Sequence, residues 1–297
     1  MSVALLVSVL SQGALWSILA LGVFLSYRVL GVADLSVEGT FPLGAAVSVS
    51  MISLGYSPWI TVLVATLAGL AAGLVTGLLH TKFKIPSLLA GILVMSGLYS
   101  VNLRVMGKAN ISLLGEPTVF SFLQSLGIQR SIAVLIVAVV VVIVLVLLLY
   151  WFFGTELGMA IRASGFNPQM VRSLGFDTEK FILLGLALSN ALVAISGALM
   201  AQNNGYADSG MGIGTIVTGL AAVIIGQVIF GQTSFKLSLV SVLVGAVIYR
   251  AIIAFVLELG MHPSDLKLIT SIVVAAAMII PEIRKGRIPN PLKRGVR

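Results

Sequence analysis

The sequence predicts an all-α, polytopic helical membrane protein of about nine transmembrane helices, and three observations predict it. The 297 residues are 59% hydrophobic and only 9% charged, with a mean hydropathy of +1.13, whereas a soluble domain carries about 25% charged residues. Apolar runs long enough to cross about 30 Å of hydrocarbon as helices recur along the chain. Runs of that length also exclude a β-barrel, whose strands would alternate over about ten residues.

The spans are expected near 5–27, 38–54, 57–80, 86–105, 131–153, 180–202, 212–230, 237–258 and 265–281. The first lacks a positive n-region and a small-residue cleavage pattern, so it reads as a retained span. Residues 1–281 then form a transmembrane domain with a long polar loop at about 154–179, and 282–297 form a basic tail. Arg284, Lys285, Arg287, Lys293, Arg294 and Arg297 hold six of the 18 basic residues. That excess places the C-terminus in the cytoplasm, where it can also touch anionic membrane lipid. Counting back puts the N-terminus outside. The inside connections carry Arg28, Lys82, Lys84, Arg162, Arg172 and Lys236, and 203–211 and 259–264 carry no Lys or Arg. Lys108 and Arg130, which bracket the outer loop 106–130, run against the rule. The net charge of +8 is therefore a topology signal, not a nucleic-acid footprint.

Within the spans, Gly69, Gly73 and Gly77 repeat every four residues, a ridge that lets a neighbouring backbone approach. PTVFSFLQSL at 117–126 has the spacing of a short amphipathic helix, lying on the membrane surface or lining an entrance. Two stretches echo one another: GVADLSVEGTFPLGAAV at 31–47 and GYADSGMGIGTIVTGLAAV at 205–223. The first begins inside and the second outside, the relation an inverted-topology repeat requires, with a solute path at the interface. Chance recurrence of small residues is the alternative. The echo also holds the polarity that could face such a path. Asp34 and Glu38 lie on one helical face, as a gate or as the inner boundary of the second span beside Arg28. Gln202, Asn203, Asn204 and Asp208 form a second cluster, as pathway or as external loop.

SGFNPQMVRSLGFDT at 164–178 is too polar to span and well punctuated. Asn167 suits an N-cap, Pro168 the first helical position, and Gly175 a left-handed C′ residue. Catalytic chemistry is missing. No G-x-x-x-x-G-K-[ST] occurs, and MGKAN at 106–110 lacks both the earlier glycine and the hydroxyl residue. With no cysteine, and with His80 and His262 far apart, neither a metal site nor a cofactor site is expected on this chain.

RASGFNPQMVRSLGFDTEKFILLGLALSNALVAISGAL at 162–199 resembles the cytoplasmic loop and following helix of bacterial ABC-importer permeases of the branched-chain amino acid and ribose family. GVADLSVEGTFPLGAAV resembles the segment after that family's first span, and the likeness runs over nearly the whole chain. It implies that the short helix is a coupling helix docking on a separate ATPase subunit. Asn167, Pro168, Met170, Val171, Arg172, Leu174 and Gly175 would form it, and Arg162 and Arg172 would flank it. ATP would be bound by that partner. The resemblance further implies a second permease copy, identical or not, an extracytoplasmic solute-binding protein, and a place in the bacterial inner membrane. DLSVEGTF departs from the Asn-Leu-Ala-His-Gly usual in the amino-acid branch and resembles a subgroup associated with tryptophan- or tyrosine-type solutes. Besides this reading stand an ion-coupled secondary transporter using Asp34 and Glu38, and a membrane subunit with no transport path.

Overall fold

The computed structural model describes residues 3–231, 234–258, 265, 268, 270–276 and 279. Helix α1 (Val3–Val23) runs on into a π-helical segment, Phe24–Val29. Then follow α2 (Val37–Ser53), α3 (Pro58–Thr81), α4 (Ser87–Met106), the short α5 (Ser121–Ser125) and α6 (Arg130–Phe152). Two polar helices come next, α7 (Glu156–Phe166) and α8 (Pro168–Ser173), and then the long α9 (Thr178–Asn204). The described helices close with α10 (Thr215–Phe230) and α11 (Phe235–Glu258). Among the described residues one antiparallel ladder pairs β1 (Asn110–Ser112) with β2 (Tyr206–Asp208), Ile111 opposite Ala207.

Six described helices are long and apolar enough to cross a bilayer: 5–29, 58–81, 87–106, 130–152, 178–204 and 235–258. They fall on six of the nine expected spans. The stretches expected at 38–54 and 212–230 are shorter helices of 17 and 16 residues, roughly 25 Å each at 1.5 Å per residue. Each starts only after several non-helical residues have carried the chain part of the way. Of the expected ninth span, 265–281, the described residues include a helical stretch at 270–276, whereas His262 and the basic tail lie outside the described residues.

Helix α9 is the hub. Lipid tails are as apolar as leucine, so helices in a membrane associate by close packing and interhelical hydrogen bonds. α9 supplies both. A methyl added at Gly69 or Gly73 of α3 would lie 2.4 Å from Ala194 Cβ or from the Leu186 carbonyl oxygen. The Gly69/Gly73/Gly77 ridge is thus a packing seam against α9. Gly44 of α2 meets the Ala194 carbonyl in the same way, and Gly197 meets that of Phe41. Toward α1, the Ser189 and Ser196 hydroxyls donate to the carbonyls of Gly22 and Leu15, at 2.8 and 2.9 Å.

These contacts fix direction. The far end of α1 reaches α7, where Gly165 packs on the Val29 carbonyl. The start of α1 lies with Asn203, near the end of α9. α1 and α9 are therefore antiparallel, so the chain breaks that follow them, at 30–36 and 205–214, lie toward opposite ends of the bundle.

Candidate functional site

At one end lies the polar loop. Asn167 is the N-cap of α8, its Oδ1 accepting from the Met170 N–H at 3.0 Å, and Pro168 follows at the first helical position. Gly175 has φ +84°, the left-handed C′ conformation glycine adopts most readily. The Phe176 N–H reaches the Val171 carbonyl at 3.3 Å and the Gly175 N–H that of Arg172 at 2.9 Å, which is the full Schellman pair. Both ends of a six-residue helix are thus tied, and such a helix has little stability of its own.

The faces of α8 divide sharply. Val171 is buried at 3% exposure and turns into its own chain. Met170 and Leu174 are exposed, and so are Phe166 and Phe176 on either side. The two phenylalanines were not among the expected docking residues. Their signal was positional, since apolar residues just outside a helix's caps commonly complete the capping motifs. Arg172 is held by its Nε donating to the Thr178 hydroxyl at 2.9 Å. Arg162 lies on α7, its guanidinium 4.5 Å from the Phe235 ring centroid. It lines a cleft of about 740 Å³ with Arg28, Tyr27, Phe166 and Phe235, between the π-helical segment, α7 and the start of α11. Lys82 and Lys84 both pair with Glu179, joining the α3–α4 turn to the start of α9.

The first chain break lies in the interior. Asp34 is 2% exposed. Its Oδ1 accepts from the Ser36 N–H at 2.9 Å and the Ser36 hydroxyl at 2.5 Å, and its Oδ2 accepts from Asn190 Nδ2 at 2.8 Å. Asn190 Oδ1 in turn accepts from the Thr40 hydroxyl at 2.7 Å. Asn190 is the thirteenth of the 27 residues of α9, so this network lies at the middle of that span. Glu38, half-buried, reaches the other break, its Oε1 accepting from the Gly214 N–H at 3.0 Å. Gly214 is the N-cap of α10, so a carboxylate meets the positive end of a helix dipole. Pro42 within α2 cannot donate to the Glu38 carbonyl, and Gly212 packs against that carbonyl so closely that an added methyl would lie 1.9 Å away.

The second polar cluster does not act as one unit. Gln202 is fully buried, donating to the Ser48 hydroxyl at 3.0 Å and accepting from the Val119 N–H at 2.9 Å. It fastens the loop before α5 to α2 and α9, so the predicted 117–126 helix shrinks to five residues behind buried Val119 and Phe120. The Asn203 carbonyl accepts from Arg130 at 3.0 Å. Asn204 is exposed and lines a cleft with Ser112, Glu116 and Tyr206. Asp208 accepts from the Gly210 N–H at 2.7 Å, and its other oxygen lies 3.5 Å from Asn110 Nδ2. Among the described residues no three His, Cys, Asp or Glu gather as a metal site.

Comparison with known proteins agrees with this architecture. The family described as "Branched-chain amino acid transport system / permease component" matches residues 5–280. A tyrosine transport system permease protein of Clostridioides difficile is 43% identical over 91% of this chain and 89% of its own length. An uncharacterized protein of Rickettsia prowazekii is 38% identical over 91% and 95%. The ribose import permease protein of Escherichia coli is 25% identical over 93% and 84%. No solved structure matches at a significant level.

Proposed function

The chain belongs to the branched-chain amino acid transport system permease family, and from that membership we propose how this ABC importer permease is driven and what it carries. ATP is bound and hydrolysed on a separate ATPase subunit that docks at α8. The observation that carries this is the doubly capped α8, around which Phe166, Met170, Leu174 and Phe176 are exposed among the described residues. A rigid element tied at both ends transmits a push that a slack loop would absorb. Docking there makes the α8 end cytoplasmic and the β1–β2 end extracytoplasmic, in a bacterial inner membrane, with the basic tail inside. A binding protein delivers solute to the outer end, and a second permease copy completes the path.

The solute is an amino acid with an aromatic side chain. Support comes from the likeness to the tyrosine permease over nine-tenths of the chain, against lower identity to the ribose permease. The ion-coupled alternative would need Asp34 and Glu38 as coupling groups, and both carboxyls are engaged in hydrogen bonds within the chain. In the test, Met170→Asp/Leu174→Asp abolishes copurification of the ATPase and ATP-driven tyrosine uptake in proteoliposomes, while the chain still folds. An intact complex with normal uptake would sink the docking site, and leucine outcompeting tyrosine would sink the solute assignment.

A further inference from the structure

One charged side chain within the spans lies outside everything above. Arg250 is the sixteenth residue of α11, eight residues, or about 12 Å, from the last residue of that helix. Charge inside a membrane is costly and is normally paired. Arg250 has no carboxylate partner among the described residues. Its Nε and Nη2 both donate to one neutral acceptor, the Gln12 side-chain oxygen of α1, with the Nε distance 2.8 Å. The guanidinium carbon also lies 5.9 Å from the ring centroid of Trp16, one turn further along α1. The Trp16 indole N–H is buried and has no hydrogen-bond partner among the described residues. Two strong donors, one cationic, thus lie together with no Asp or Glu partner among the described residues.

The site has an approach. Gln12 lines a cleft of about 380 Å³ at the end opposite α8, together with Ser8, Ser11, Gln129, Arg130 and Asn203. Its lining includes a second cation, Arg130, and no Asp or Glu. Polar groups therefore descend along α1 from the rim to Arg250, with positive charge at both ends of the descent. We propose that Arg250, Gln12 and Trp16 form a carboxylate-recognition site for the amino-acid solute as it leaves the outer cleft. The solute carboxylate displaces the Gln12 oxygen as the acceptor of the guanidinium, because an ionised acceptor makes roughly twice as strong a hydrogen bond as a neutral one. The freed Gln12 amide and the Trp16 indole N–H then complete the shell.

The inference rests on the amino-acid reading, and its test separates the two. The purified chain in nanodiscs is probed by saturation-transfer difference NMR with L-tyrosine and with tyramine, the same ring without a carboxylate. L-leucine and acetate serve as further carboxylates. L-tyrosine is expected to give a saturable signal and tyramine none, with Arg250→Gln weakening tyrosine about ten- to hundredfold and Arg250→Lys restoring part of the loss. Trp16→Phe, which removes the indole N–H and leaves the cation in place, should weaken tyrosine severalfold and serves if Arg250→Gln fails to fold, in which case indifference to Trp16→Phe overturns the site. Equal signals from tyrosine and tyramine, no carboxylate signal at all, or indifference to Arg250→Gln overturns the site. An Arg250-dependent signal from leucine and acetate but not from tyrosine keeps the site and removes the aromatic solute.

Discussion

The two chain breaks share a sequence and differ in surroundings. In each, a glycine with positive φ, Gly31 at +68° or Gly205 at +78°, turns the chain out of a long helix. In each, the aspartate three residues on accepts from the N–H two residues further along, Asp34 from Ser36 and Asp208 from Gly210. A short helix then starts, α2 or α10. The backbone device is the same, pointed in opposite directions. Asp34, however, is sealed at the middle of α9 with three donors around it, whereas Asp208 is half-exposed and its second oxygen has one distant neighbour. Local sequence sets the turn, and depth in the bundle sets what the turn is worth.

The largest effect should follow from breaking the buried copy. Asp34→Ala strands the Ser36 N–H and one of the two Asn190 Nδ2 hydrogens, the other staying on the Leu186 carbonyl, where water cannot replace the lost acceptor, a loss of about 3 kcal/mol or more. Asp34→Asn is little better, because whichever way its amide turns, the N–H₂ faces a donor, either Asn190 Nδ2 or the Ser36 N–H. Asn190 cannot turn over to compensate without losing the Leu186 carbonyl, to which its Nδ2 also donates at 3.1 Å. A denaturation midpoint in detergent should fall sharply for both variants. An unchanged midpoint would mean that the network does not hold the break.

Next in size is the place where the breaks touch. Gly212→Ala puts a methyl 1.9 Å from the Glu38 carbonyl, and overpacking of this kind costs about 1–3 kcal/mol. Glu38→Gln, which keeps an acceptor for the Gly214 N–H, should cost much less. A loss on Glu38→Gln as large as that on Gly212→Ala would show that the carboxylate's charge, not the close approach, joins the two copies.

Smaller still, and equal, should be Gly31→Ala and Gly205→Ala. Both positions have positive φ, and neither added methyl meets an atom closer than 3.7 Å. The cost is therefore backbone strain alone, about 1 kcal/mol each. A marked inequality in midpoint shift would mean that surroundings enter even the glycine step.

Much of this was legible in the sequence because it is local. The caps of α8 are encoded by Asn167, Pro168 and Gly175, and the ridge on α3 by a four-residue glycine repeat. The G-x-A-D echo was visible for the same reason, since an aspartate bonding two residues along needs no distant partner. What was not legible depends on tertiary position. Nothing near Asn190 marks it as the partner of Asp34, 156 residues away, and nothing near Gln202 marks it as the anchor of Val119. By sequence Val171 groups with Met170 and Leu174, because apolar character alone does not say which side of a short helix faces its own chain. The span expected at 38–54 coincides with α2, whereas the one expected at 212–230 starts three residues before α10, because hydropathy continues through residues that have not yet become helical.

The smallest expected effect is at the exposed copy. Asp208→Ala removes the acceptor for the Gly210 N–H, but water can reach this position, so the loss is about 1 kcal/mol or less. It should be local. Amide hydrogen exchange at Gly210 should accelerate while the global midpoint stays close to the parent, the opposite of Asp34→Ala. In the isolated chain, a global loss like that of Asp34→Ala would contradict the contrast between the two breaks. A loss confined to the assembled importer would have another meaning. It would place Asp208 under a partner at the outer end, where the proposed binding protein delivers solute, and the same turn would have been buried by assembly instead of by folding.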